Sequence, residues 1–236
     1  MSQTALNLVA ISIFLMTFSV LLGPLIHLSP AVPAIATFTI LGIATFDNFS
    51  LQGQGGTIIL DWIASFSPEH RDRIIHHEAG HLLTAHLLNI PVTGYTLSAW
   101  EAWRQGQPGQ GGVSFDDAEL ATQLEQGKIS AQIIDRYCTI WMAGIVAETL
   151  VFDSAEGGAD DRSKLGAVLA GLGFSESERQ QKQRFHLLQA KTLLQENWSS
   201  YQALVKSMEQ RASILDCQRV INDAADIKKK LVLDEN

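Results

Sequence analysis

The sequence predicts a mainly α-helical protein with a small β element, preceded by an N-terminal membrane hairpin. Three observations carry that expectation. Met1 to Phe46 contain no Asp, Glu, Lys or Arg. Apolar residues recur at helical spacing through most of the remaining chain. One β-branched and aromatic stretch, "PVTGYTLSAWEAW" at 91–103, interrupts that pattern and reads as a strand.

In chain order, "ALNLVAISIFLMTFSVLLGPLIHL" is long enough to cross a hydrocarbon layer of roughly 30 Å. The following "AVPAIATFTILGIATF" is short for a full span and carries Pro33. Together they read as a hairpin, or as one span followed by a shorter or tilted one. "MSQTALN" lacks the basic residues that open a secretory signal. Residues 1–46 are therefore expected to be transmembrane, which places the protein in a membrane as an integral component. The first basic residues, Arg71 and Arg73, favour a cytoplasmic side for the C-terminal part. Residues 47–66 form a linker that begins with the polar, Gly-rich "DNFSLQGQGGT", and 67–236 form one domain.

Within that domain "SPEHRDRIIHHEAGHLLTAHLL" reads as a helix. Ser67 can cap it, Pro68 suits its first turn, Glu69 favours its N-terminus, and Asn89 to Pro91 end it. After the strand, "RQGQPGQGGVSFDD" is a loop running into a second short strand, "GVSF". "SAQIIDRYCTIWMAGIVAETLVF" is a long apolar helix ending near Asp153, and "DSAEGGADD" is a loop. "RSKLGAVLAGLG", "ESERQQKQRFHLLQAKTLLQENW" and "SSYQALVKSMEQRASIL" are further helices, followed by a tail of mixed charge.

Composition excludes some functions. The net charge of −8 comes without a basic stripe, so nucleic acid is not an expected partner. Cys138 and Cys217 sit apart in helical patterns, which fits buried thiols in a reducing compartment better than a disulfide or a Cys-rich zinc site.

"HHEAGH" carries the chemistry. Positions i and i+4 share one helix face, so His77 and His81 can grip one metal ion. Glu78 beside them is the candidate general base and catalytic residue, and Gly80 is expected to leave room beside the metal. His/His/carboxylate with one open position favours Zn2+. The third ligand must come from elsewhere, and the acidic residues of "MAGIVAETLVFDSAEGGADD" are the candidates. His27, His70, His76, His86 and His186 lack the paired geometry and read as surface or core histidines.

These residues resemble the FtsH-type membrane-anchored zinc metallopeptidases over roughly residues 65–220. That family reads HEAGH, then a helix of the form G-G-R-x-A-E-E, then a G-A-S-N-D loop whose aspartate binds zinc. Here His77 to His81 match at every position. Ala143-Gly144-Ile145-Val146-Ala147-Glu148 stands for the helix, and Gly157-Gly158-Ala159-Asp160-Asp161 for the loop. The resemblance implies a zincin-like fold, Asp161 as third ligand and Glu148 as a supporting acidic residue. Asp160 remains a rival ligand, and Glu148 a weaker one. Ile145, Val146 and Thr149 depart from the family pattern.

The implied activity is a zinc metalloendopeptidase acting on protein or peptide substrates. The implied location is a bacterial inner or thylakoid-type membrane, with the peptidase on the cytoplasmic or stromal side. No G-x-x-x-x-G-K-[ST] occurs, so no ATPase of its own is expected; a homo-oligomer or a separate ATPase could complete it. A non-proteolytic scaffold or assembly factor that retains the fold is the alternative. An intramembrane protease ranks last, because Glu69 to Arg73 are charged or polar directly before the motif. Trp100 and Trp103 are candidates for shaping a substrate groove beside the strand, or for simple packing.

Overall fold

The computed structural model describes residues 3–27, 29, 31–50, 54–64, 66–106, 111–126 and 129–234. In order they form α1 (Gln3–Leu22), a 3-10 turn (Gly23–Ile26), α2 (Ala31–Ser50), α3 (Gln54–Ala64) and α4 (Pro68–Leu87). Then come β1 (Val92–Thr96), α5 (Ala99–Arg104), β2 (Gly112–Phe115), α6 (Ala118–Glu125) and α7 (Ala131–Phe152). The chain finishes with α8 (Ala159–Gly171), α9 (Glu176–Glu196), α10 (Trp198–Glu209) and α11 (Ile214–Asp234). The protein is thus mainly helical with one small antiparallel sheet, as the sequence predicts. It divides into two compact units, Met1–Pro68 with Ser98–Gly111, and Glu69–Leu97 with Gly112–Asn236.

The first unit corrects the expected membrane placement. Among the described residues, no helix is long and apolar enough to cross a membrane. The charge-free run is broken at Gly23 and Pro24, where the chain turns into 3-10 geometry. α1 opens on Gln3, Thr4 and Asn7, so the mostly apolar remainder falls short of the about 20 residues that a span takes. α2 carries Pro33 and ends in Asp47, Asn48 and Ser50. Integral membrane localisation, with the orientation inferred from Arg71 and Arg73, is overturned on that ground. Both helices nevertheless leave large apolar side chains exposed, including Phe14, Phe18, Phe38 and Phe46.

Two other stretches of this unit depart from the sequence reading. The Gly-rich segment expected to be an irregular linker is helical in α3. Asp47 Oδ2 accepts the Gly56 amide at 2.8 Å, so a carboxylate from the preceding helix satisfies a donor in the first turn of α3. The predicted strand 91–103 stops at Thr96. Ser98 then caps α5, its hydroxyl accepting the Glu101 amide at 3.2 Å, and Trp100 and Trp103 lie on that helix with rings 4.9 Å apart.

The second unit is built around α7, which is buried on every face through its middle, from Tyr137 to Glu148 apart from Trp141. A helix apolar all round must be wrapped by others. Leu82 and Leu83 of α4, Leu165 and Leu169 of α8, Leu194 of α9 and Leu204 and Met208 of α10 are each essentially inaccessible and form one core with it. α4 ends as expected: Asn89 is left-handed at φ 55°, and the Ile90 amide closes on the Ala85 carbonyl at 2.9 Å. β1 pairs antiparallel with β2, Tyr95 opposite Val113 and Thr96 opposite Gly112.

The C-terminal tail is α11, which buries Cys217 and Ile221; the Ile221 carbonyl accepts the Ser200 hydroxyl at 3.2 Å. α8 starts earlier than predicted, so Asp160 and Asp161 occupy its first turn rather than a loop. Carboxylates are favoured there, because the turn has unpaired amides and the positive end of the helix dipole.

α4 and α7 approach closely at Gly80. A Cβ at that position would lie 2.7 Å from the Ala143 carbonyl oxygen and 2.7 Å from the Ala147 methyl. Neither neighbour can swing away, so Gly80→Ala should cost about 1–3 kcal/mol of stability in urea unfolding. An unchanged midpoint would show that the helices do not pack at this distance.

Candidate metal centre

α4 and α7 run in opposite directions and meet in four-residue steps. Arg73, His77 and His81 lie along one face of α4, because residues four apart stack on a helix. Glu148, Gly144 and Ile140 answer them along α7. His81 Nδ1 donates to the Ile140 carbonyl at 2.7 Å. His77 Nδ1 donates to Glu148 Oε1 at 2.6 Å. Each ring therefore has its Nδ1 engaged and presents Nε2 to the same point.

Gly144 supplies the space. A Cβ there would come within 2.6 Å of His81 Nε2 and would collide with His77 Nε2 as well. The room beside the histidine nitrogens thus comes from Gly144, not from Gly80, whose missing side chain serves helix packing.

Asp161 completes the group. Its Oδ2 lies 3.1 Å from His77 Nε2 and 3.4 Å from His81 Nε2. The ligand atoms of all three residues fall within 4.8 Å of one another, and all three residues are buried. A four-coordinate zinc with bonds near 2.0–2.1 Å holds its ligand atoms about 3.3 Å apart. Both separations are close to that spacing, so this buried His77–His81–Asp161 group could hold a metal ion. Asp160, the rival ligand, is exposed on the adjacent helix face.

Glu148, the other rival, is turned to support instead. It is 2 % exposed, and it accepts the amides of Glu156 at 2.9 Å and Gly157 at 3.2 Å besides the His77 ring. Burial works to raise its pKa, but the His77 hydrogen bond and those amides hold it below the usual value. Asp161 behaves alike: burial opposes its charge, and the His81 and His77 imidazoles hold it far below the ordinary carboxylate range. Burial alone would lower His77. Its hydrogen bonds to Asp161 and Glu148 overcome that and lift it from 6.5 to about 10.

Glu78 stands next to this group but is not part of it. Its Oε2 accepts the Val113 amide of β2 at 2.9 Å. Other histidines of this unit have partners of their own: His186 is fully buried against Thr139, and His86 bonds Asn222 at 3.0 Å. His76 contacts the Tyr201 hydroxyl at 2.7 Å.

Sequence reasoning missed Arg73 and the role of Gly144. A signal existed for both, since each stands four residues before a residue that had been singled out, His77 and Glu148.

The His77 proton gives a pH test. In the metal-free protein its pKa is raised, so its stabilising contribution is complete below pH 6.5 and is lost as pH rises towards 10. A metal must displace that proton, so apparent zinc affinity should rise about tenfold per pH unit between 7 and 9 in a chelator competition. A flat profile would show that His77 holds no proton above pH 7 before the metal binds. Asp161→Asn should weaken binding more than Asp160→Asn in the same titration; the reverse order would move the third ligand. Among known proteins, no family model matches this chain, and a search of curated proteins found no match either.

Proposed function

We propose that the protein is a zinc-dependent endopeptidase, resembling the FtsH-type peptidases in its zincin-like HEAGH helix and in its distant aspartate ligand. One observation carries the reading: Nε2 of His77 and of His81 converge with the Asp161 carboxylate at zinc-ligand spacing, while the adjacent Glu78 stays out of the ligand set. Two nitrogens and one carboxylate leave a fourth position open, which is the donor set of catalytic rather than structural zinc. A metal held there supplies a Lewis acid that brings bound water towards neutral pKa.

The chain's own residues supply the rest. Glu78 Oε2 is anchored by the Val113 amide, which leaves Oε1 to accept a proton from attacking water and to return it to the departing amine. Val113 points its N–H at Glu78, so this edge of β2 lies beside the base. Among the described residues β2 pairs with β1 alone. An extended peptide can add to such an edge by main-chain hydrogen bonds, which suits a protein or peptide substrate.

Purified wild type and Glu78→Gln should both retain zinc, while only the wild type cleaves unfolded casein. The variant should lose on the order of 10²–10⁴-fold in rate, and a chelator should stop the wild type. Cleavage by Glu78→Gln at the wild-type rate would exclude Glu78 as base. Zinc in both with cleavage by neither would point to a non-proteolytic role.

A further inference from the structure

We infer that Arg73 is a positioning residue of the metal centre: it latches the loop that delivers Asp161 onto the helix that carries His77 and His81. The inference rests on the metal-binding reading above.

Arg73 lies one helical turn before His77, on the same face, and is buried. Its guanidinium sits 4.4 Å over the Phe152 ring at the end of α7. From there it reaches several groups at once. Nη1 donates to the Ser154 carbonyl at 3.1 Å and stands 3.8 Å from Glu148 Oε2. Nε stands 3.7 Å from Glu156 Oε1, and Nη2 donates to Glu69 Oε1 at 3.2 Å. Ser154 and Glu156 both belong to the short connection between α7 and α8.

That connection sets the third ligand. Glu148 grips it from α7 through the Glu156 and Gly157 amides, and Arg73 grips it from α4 through the Ser154 carbonyl, with the exposed Glu156 carboxylate within ion-pair range. Asp161 follows in the first turn of α8, so a shift of the loop carries its carboxylate away from both Nε2 atoms. The same arginine flanks Glu148, whose Oε1 orients the His77 ring. One side chain therefore acts on two of the three ligands without touching the metal position. A planar fork with five donors can serve these partners together, whereas a lysine ammonium is a point charge that cannot. A simple staple for the start of α4 would need only Glu69, on its own helix.

The test is zinc affinity of the full chain, by competition with a chromophoric chelator, with cobalt absorption as a second readout. Arg73→Met should bind zinc about 10–100-fold more weakly than wild type, the usual loss when a group supporting metal ligands is removed. Arg73→Lys should recover only part of that loss, and Glu69→Gln should bind as wild type does. The cobalt spectrum of Arg73→Met should move towards that of Asp161→Asn. If Arg73→Met does not fold, Arg73→Lys carries the test, since it keeps the charge and the buried stem. Wild-type affinity in whichever variant folds, with or without a lower melting temperature, would overturn the inference while leaving the metal centre standing. A wild type that binds no zinc would remove the metal centre and this inference with it.

Discussion

The close approach of α4 and α7 is the constraint on which the rest depends. Gly80 lets the α4 backbone reach the Ala143 carbonyl and the Ala147 methyl, and Gly144 opens the opposite wall to the two histidine rings. At that distance the helices exchange side-chain-to-backbone and side-chain-to-side-chain hydrogen bonds: His81 to Ile140, and His77 to Glu148. A larger residue at either glycine would separate the helices, and the rings would lose the partners that orient them. The imidazoles are aimed by packing, because their own rotamers leave the choice of outward nitrogen open.

Burying this much charge is costly unless each group is paired. The centre manages it by alternation. Arg73 faces Glu148, Glu148 faces His77, and His77 and His81 face Asp161. Without metal, the raised pKa of His77 keeps a proton between two carboxylates. A divalent cation can take over that neutralising role at the same point. The pairing explains why a group with little solvent contact remains polar in a unit whose other interior residues are mostly apolar.

Much of the fold was legible in the sequence, and its errors have identifiable causes. The long helices and the two short strands follow from periodicity and from Asn89, Pro91 and Asp153 as stops. α3 and α5 were misread because their starts depend on caps: the distant Asp47 for the first, and Ser98 inside a β-branched run for the second. The N-terminal run was misread because absence of charge is not the same as an unbroken apolar helix; Gly23, Pro24 and the polar ends of the helices divide it.

For the site, the sequence by itself determined that His77 and His81 share one face of a helix. A spacing of four residues imposes that wherever the helix lies. It could not choose among Asp160, Asp161 and Glu148, because adjacent acids and acids one helix apart look alike in a string of letters. Only the resemblance to a known family ranked them. The tertiary structure places Asp161 beside both Nε2 atoms and leaves Asp160 exposed: Glu148 binds the amides of the loop, and α8 starts in the phase that turns Asp161 inward. The Glu148 bonds to the loop span only 8 and 9 residues, but the contacts that bring His77 to Glu148 and to Asp161 span 71 and 84 positions, and no local pattern encodes those.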